Sequence, residues 1–365
     1  MPLSFLFIPR LNAYPSMHVY PEKMTQKQQR LLDDVIASWV EEMPESQASN
    51  AIDFEDWFEN AYRLYEAKAT FPERDTFVLR RFEGEHLITL KDDLQDKASL
   101  QGKDVFLLGM HCRAEDTLEE DFGLHPVNLK TGPNNDVLYA GSETFQKHAG
   151  RTVTLCDAVT DDIEKAIADL RTDGHEKAFL KVNRSKYGIE VISTEPGEFI
   201  GSDTAWAIMH LEGDKNAFQV QAYTDMYYEY RFIVVGHKLV AGAACIEEFT
   251  PLDNKGTHFD GQLRYHRQSE TPVIHDEQAK QVLNVLKDAA ATFVTEMKEE
   301  DTFAHYTLDM ALDREGKPLV VECNDLNNYG LYAMHYPAIL REQVAFYDNK
   351  LELAVKKSAT STLQP

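Results

Sequence analysis

Two carboxylates and an amide share one face of a predicted β-hairpin near the carboxyl end of the chain. Two apolar runs of strand length are joined most economically by a two-residue turn at Glu315-Gly316. With that turn, Asp309 lies directly opposite Glu322, with the two Cβ atoms about 4.5–5.5 Å apart. Asn324 follows two residues later and therefore points to the same side as Glu322.

Facing carboxylates on an otherwise apolar hairpin repel each other and need a compensating cation. Their oxygens, together with the amide oxygen, suit Mg²⁺ with a bound phosphate completing the coordination shell. The alternative is a solvated face that is acidic because the whole protein is acidic. The metal prediction depends on the turn, since a shift of one residue would move Asp309 away from Glu322.

Two cations stand inside predicted strands. Lys181 interrupts the apolar strand 178–182, although lysine is depleted in strand interiors. The polar loop 183–188 follows, and the backbone N–H groups of such a loop can bind phosphate. Arg231 lies in the sequence Glu229-Tyr-Arg231 of another strand, and arginine binds phosphate oxygens with a fixed fork geometry. The alternatives are an edge-strand lysine and a surface Glu229–Arg231 ion pair.

The elements that must position these groups alternate between strands and helices, which predicts a mixed α/β (α+β) fold. The first third of the chain gives strands at 3–8, 76–82 and 104–110 and helices at 22–42 and 54–67. Beyond residue 150, the predicted strands are 153–156, 178–182, 189–192, 218–222, 229–235, 238–244, 306–312 and 319–324. Helical spacing of apolar residues predicts helices at 160–170, 277–297 and 337–356, the first capped by Thr160.

The domain organisation follows from length and periodicity. The chain has 365 residues, enough for about two or three domains. Residues 113–142 show little periodicity and contain a Gly-Pro-Asn-Asn sequence, which predicts a loop-rich join. We therefore expect a mixed α/β domain at 1–140, a second domain at 141–350 and a flexible tail at 351–365.

Composition excludes several classes of protein. The net charge of −24 argues against a broad nucleic-acid surface, because neutralising phosphates takes clustered Lys and Arg. No apolar run approaches the roughly 18–20 residues of a membrane helix, and the first residues lack a secretion signal, so a cytoplasmic protein is expected. The cysteines form no CxxC pair, which predicts reduced thiols rather than zinc ligands, at positions Cys112, Cys156, Cys245 and Cys323.

The order of these features resembles the ATP-grasp fold over roughly residues 150–340, with residues 1–140 as the flanking domain of the substrate pocket. The resemblance implies that Lys181 binds the α/β phosphates of ATP and that Arg231 holds the γ-phosphate and the developing acyl phosphate. It implies a lid over the phosphates at Ser185, Lys186 and Gly188, and an adenine-reading backbone at Gln221, Ala222 and Tyr223. It further implies one or two Mg²⁺ ions on Asp309, Glu322 and Asn324. The family has a second phosphate-binding lysine earlier in the chain, for which Lys147, or Arg151 in its place, is the candidate.

The function implied by the resemblance is an ATP- and Mg-dependent ligase. Such an enzyme joins a carboxylate to an amine through an acyl phosphate, and its substrates would be an amino acid, a peptide or a protein. The resemblance also implies a homodimer as a frequent state. Two alternatives stay open: an ATP-binding assembly or chaperone factor with this fold and no ligase activity, and an α/β protein whose acidic hairpin binds no nucleotide.

Overall fold

The computed structural model describes residues 3–7, 26, 30, 54–81, 87–89, 102–108, 118, 123–128, 139–183, 189–197, 201–267, 270–300, 303–326 and 329–361. These residues fall into two compact units, each assembled from separate segments of the chain. Unit 1 comprises Met1–Lys130, Val240–Asp260 and Leu326–Pro365, and unit 2 comprises Thr131–Leu239 and Gly261–Asp325. The helix predicted at 22–42 lies outside the described residues, apart from positions 26 and 30.

The elements bear out the prediction of a mixed α/β fold. The strands are β1 Ser4–Phe7, β2 Thr76–Arg81, β3 Leu87–Thr89, β4 Asp104–Leu108, β5 His125–Pro126, β6 Val153–Cys156, β7 Lys177–Val182, β8 Glu190–Ser193, β9 Phe218–Ala222, β10 Tyr227–Val235, β11 Lys238–Ala244, β12 Leu263–Arg264, β13 Val273–Ile274, β14 His305–Leu312 and β15 Pro318–Asn324. The helices are α1 Phe54–Thr70, α2 Glu143–His148, α3 Thr160–Thr172, α4 Ser202–His210, α5 Glu277–Glu300 and α6 Tyr336–Ser361.

Unit 1 is built on a five-stranded sheet in the order β3-β2-β1-β4-β5. Strand β1 lies between β2 and β4 and runs parallel to both. It is buried along its length. Helices α1 and α6 of the same unit contribute apolar side chains to the core that contains it. The rings of Phe5 and Phe106 meet edge to face in that core, and Tyr347 of α6 packs on Phe106.

The first sheet of unit 2 is antiparallel and has the order β6-β9-β7-β8. Strands β7 and β9 alternate between an apolar and a polar face, as expected for a sheet covered on one side by a helix. The apolar face packs against helix α3 through Ile163, Ala166, Ile167 and Leu170. The polar face carries Lys181, Gln219 and Gln221, and it forms one wall of the site described below.

The second sheet of unit 2 contains β10, β14 and β15 in that order, with antiparallel neighbours. Helix α5 belongs to the same unit and buries the apolar stripe that its sequence predicts, at Leu283, Leu286, Ala290, Phe293 and Met297. All eight residues of β14 are buried, so polar side chains on this strand need partners inside the protein.

Several expectations needed correction. Thr160 is the first residue of α3 rather than its cap, since Val159 occupies the cap position and makes no side-chain bond there. Helix α6 ends at Ser361 rather than at the predicted residue 356. The short helices α2 and α4 were not predicted, because one or two turns give too little periodicity.

Cys156, Cys245 and Cys323 are buried, reduced cysteines, as predicted, and Cys112 lies outside the described residues. Within the part of the chain that the structure describes, no helix is both long and apolar enough to cross a membrane.

Candidate functional site

The hairpin of β14 and β15 has the predicted pairing at its acidic end but a different turn. The loop contains three residues, 314–316, closed by hydrogen bonds between Asp313 and Lys317 and ending in Gly316 at φ +79°. This loop is one residue longer than the predicted turn, and by itself the extra residue would move Asp309 out of register with Glu322. A β-bulge restores the register, because Met310 pairs with Val320 whereas Asp309 pairs with Glu322.

Three charged residues form one row across the second sheet. Arg231 of β10 pairs with Asp309 of β14, which pairs in turn with Glu322 of β15. The guanidinium of Arg231 donates two hydrogen bonds to Asp309, from Nε to Oδ1 at 2.7 Å and from Nη2 to Oδ2 at 2.6 Å. Their side chains are only 8% and 0% exposed, so this bidentate pair is shielded from solvent.

Lys181 reaches the end of this row from the first sheet. Its ammonium group donates to Oε2 of Glu322, and the amide nitrogen of Asn324 donates to Oε1 at 2.9 Å. Burial alone would raise the pKa of Glu322, but Lys181 and these hydrogen bonds outweigh burial and lower the pKa to about 2. Burial likewise opposes the charge of Lys181, whose pKa is nevertheless raised by Glu322 and Tyr139.

A third carboxylate lies beside the row. Glu229 accepts a hydrogen bond of 2.9 Å from Arg267. One alternative interpretation of the sequence had paired Glu229 with Arg231 instead. Burial raises the pKa of Glu229 although Arg267 opposes the shift, and repulsion from Asp309 adds to it. The site therefore brings together three carboxylates and three cations, so its formal charges cancel. The cations are Arg231, Lys181 and Arg267.

A polar network covers the wall that faces this charged row. Arg151 donates from Nε to Oε1 of Gln221 at 2.8 Å, and Gln221 donates to Gln219 at 2.7 Å. Gln219 in turn donates to the hydroxyl of Tyr139 at 3.3 Å. Lys181 neighbours both Gln219 and Tyr139, so the network ends at the cation that holds Glu322. Gln219 and Tyr139 were missed, although two glutamines at alternate positions of an apolar strand indicate one polar face.

The remaining predicted residues fall into three groups. Lys147 is apart from the row, since its exposed side chain forms an ion pair of 2.6 Å with Glu296 of α5. The backbone N–H groups of Ala222 and Tyr223 already donate to Thr152 and Lys177, so adenine recognition by this segment stays a prediction. The predicted lid lies outside the described residues, namely Ser185, Lys186 and Gly188.

The donor set of the row fits a hard cation that binds oxygen. It offers the carboxylates of Asp309 and Glu322, the amide oxygen of Asn324 and the buried hydroxyl of Thr307, which has no hydrogen-bond partner among the described residues. Both carboxylates are already held by protein cations. If Mg²⁺ bound here, it would compete with Arg231 and Lys181 for these two carboxylates.

Comparisons with known proteins complete the description. No family model and no curated protein matches the chain. D-alanyl-alanine synthetase A from Vibrio cholerae is similar at 13% identity, over 93% of this chain and 92% of its own, with a TM-score of 0.43. The macrocyclase MdnC from Microcystis aeruginosa, bound with precursor peptide MdnA, matches at 10% identity over 94% of this chain and 99% of its own, with a TM-score of 0.41. The ATP-grasp ligase PsnB, complexed with minimal precursor, Mg and ADP, matches at 14% identity over 72% and 85%, with a TM-score of 0.34. All three TM-scores lie below 0.5.

Proposed function

We propose that this protein binds Mg-ATP in an ATP-grasp fold and activates a carboxylate for attack by an amine. The observation that carries the proposal is the row Arg231–Asp309–Glu322, completed by Lys181 from the facing sheet. A merely structural cluster would need only to balance its charges. This cluster combines oxygen donors suited to Mg²⁺ with the two cation types that bind phosphate, one from each sheet of the same unit.

The phosphates of the nucleotide would be the second partner of these cations. With Mg-ATP bound, Arg231 and Lys181 would move from Asp309 and Glu322 to phosphate oxygens. The two carboxylates would then be free to bind the metal, which neutralises charge on the transferring phosphoryl group. This exchange keeps every buried charge compensated before and after binding, so neither state contains an isolated buried ion.

The reaction then follows from charge stabilisation rather than from a protein nucleophile. A substrate carboxylate oxygen attacks the γ-phosphorus, the bond to the β-phosphate oxygen breaks, and ADP leaves with an acyl phosphate formed. An amine attacks the acyl carbon and displaces inorganic phosphate, giving an amide and releasing a proton. In this scheme Arg231 binds the transferring group and Lys181 binds the phosphates behind it.

The proposal is tested by ADP formation with panels of amino acids and peptides, using hydroxylamine as the amine. An acyl phosphate gives a hydroxamate with hydroxylamine, and both ADP and hydroxamate should require the acid and Mg²⁺. Asp309→Asn and Glu322→Gln should abolish both products. Glu296→Gln provides a matched control, since it removes a carboxylate from an exposed ion pair on α5.

The outcomes separate the three functions considered from the sequence. Hydroxamate formation that is lost in both site variants supports the ligase. Tight Mg-ATP binding without ADP formation from any acid would contradict the ligase and favour the assembly factor. No binding of Mg-ATP by the wild-type protein would contradict both functions.

A further inference from the structure

The position of Glu322 depends on one extra residue in β15. Counting from the three-residue turn without a bulge, Asp309 would face Val321, and Glu322 would fall opposite Leu308 on the other side of the sheet. The bulge at Val321 shifts the strand by one residue and returns Glu322 to the face of Asp309. The geometry of the candidate metal site therefore requires that this bulge be kept in place.

Arg151 holds the backbone of this bulge. Its Nη1 donates to the carbonyl oxygen of Val320 at 2.7 Å, and its Nη2 donates to that of Val321 at 3.0 Å. Carbonyl groups at a bulge lose regular ladder partners, and a buried carbonyl without a partner is costly. A guanidinium can satisfy two neighbouring carbonyls at once, because its donors have a fixed planar arrangement.

The segment that carries Arg151 is fitted closely to β15. Nη1 of Arg151 also donates to the carbonyl of Ala149 at 2.7 Å, which fixes the guanidinium to its own segment. Gly150 has φ +65°, and a Cβ atom there would lie 2.9 Å from the Cβ of Leu319. Only glycine allows this approach. Two separate features therefore specify the contact between this segment and β15: the hydrogen bonds of Arg151 and the close approach at Gly150.

We propose that Arg151 is a positioning residue that aims the Glu322 carboxylate at the metal by clamping the bulge at Val320 and Val321. The effect of Arg151 on Mg²⁺ binding rests on the proposed function, whereas the clamping of the bulge does not. Through its hydrogen bond to Gln221, the same guanidinium joins the network that ends at Lys181. The expectation that Arg151 substitutes for a phosphate-binding lysine stays a prediction.

The test compares Arg151→Met and Arg151→Lys with Arg171→Met. Arg171 is a suitable control because it lies on α3 and also donates to a backbone carbonyl, that of Thr194 at 3.4 Å. ATP affinity is measured by calorimetry with and without Mg²⁺, and amide hydrogen exchange of residues 320–324 is measured without nucleotide. Arg151→Lys keeps the charge and part of the reach, so a folded variant is available even if Arg151→Met does not fold.

Arg151→Met should weaken Mg²⁺-dependent ATP binding by about 10–100-fold, the range for residues that orient metal ligands. Its metal-free ATP affinity should stay near wild type, Arg151→Lys should be intermediate, and exchange at 320–324 should accelerate in both. The clamp would be overturned if amide exchange of residues 320–324 in Arg151→Met were no faster than in Arg171→Met. It would also be overturned if the wild-type protein bound Mg-ATP tightly and Arg151→Met showed the same Mg²⁺ dependence of its ATP affinity. If the wild-type protein binds no Mg-ATP, the proposed function fails and the exchange rates alone decide whether Arg151 clamps the bulge.

Discussion

Breaking the Arg231–Asp309 pair should cost far more stability than removing both of its charges. Arg231→Met leaves a carboxylate with no exposed surface and without the cation that binds it, and Asp309→Leu leaves a guanidinium that is only 8% exposed without the carboxylate that it binds. The double variant replaces both groups with apolar side chains of similar size. The three variants and the wild type form a double-mutant cycle for this pair.

The magnitude follows from burial and geometry. Both hydrogen bonds are short and the side chains are almost fully buried, so the value for a broken buried ion pair applies, about 3–5 kcal/mol for each single variant. Apolar replacement of a whole buried pair is often close to neutral. We therefore expect the double variant to lose much less than the sum of the single variants, with a coupling energy of at least about 3 kcal/mol.

The assay is urea unfolding followed by circular dichroism, in EDTA so that no divalent cation can replace Arg231. Lys280→Met with Glu277→Leu forms the control cycle, because this pair is linked at 2.5 Å and its side chains are 64% and 81% exposed. Exposed pairs contribute about 0–1 kcal/mol, so the control single variants should lose little. Additive losses in the Arg231–Asp309 cycle, or single losses as small as those of the control, would refute the assignment of a buried, mutually dependent pair.

Three further predictions concern the same unit. Lys181→Met should gain more stability from Mg²⁺ than the wild type does, because Glu322 loses its competing cation; equal gains in thermal unfolding would contradict this exchange. In EDTA, the stability contributed by Glu322, up to about 3 kcal/mol, should be complete above its ordinary pKa of 4.5 and lost as the pH falls towards 2. Unfolding titrations should show a shallower loss over this window for Glu322→Gln, and identical curves would argue against the lowered pKa. Gly150→Ala should lower stability by more than Gly174→Ala does. Both glycines have positive φ, but only Gly150 closely approaches Leu319. Equal urea midpoints for the two variants would show that the close approach does not matter.

The elements of unit 2 were largely predictable because their residues follow simple periodicities. Strands β6, β9 and β11 have the predicted bounds, and most others differ by one or two residues. The fold class is confirmed, and Asp309 does pair with Glu322. That pairing was reached from the wrong turn, however, and it holds only because a bulge offsets the additional loop residue. Alternation in a strand cannot reveal a bulge, since a bulge is stabilised by groups elsewhere, here by Arg151.

The cross-strand partners of the charged residues were harder to predict than their strands. The sequence suggested a metal ion as the compensation for the facing carboxylates, but Arg231 and Lys181 supply it within the chain. The pairing of β10 with β14 joins residues far apart in sequence, so no local pattern specifies it. One signal was available, because an arginine and an aspartate each interrupt a strongly apolar strand, and buried charges of opposite sign require partners.

In the proposed function, Mg-ATP replaces the internal ion pairs of this site. The most direct measurement is the change in unfolding free energy on adding Mg-ATP, relative to Mg²⁺ alone, for the wild type, Glu322→Gln and the control Glu296→Gln. A ligand at about 100 times its dissociation constant should add about 2.7 kcal/mol. We expect this gain in the wild type and in the control and its loss in Glu322→Gln. No gain at saturating ATP, or an equal gain in all three proteins, would contradict it.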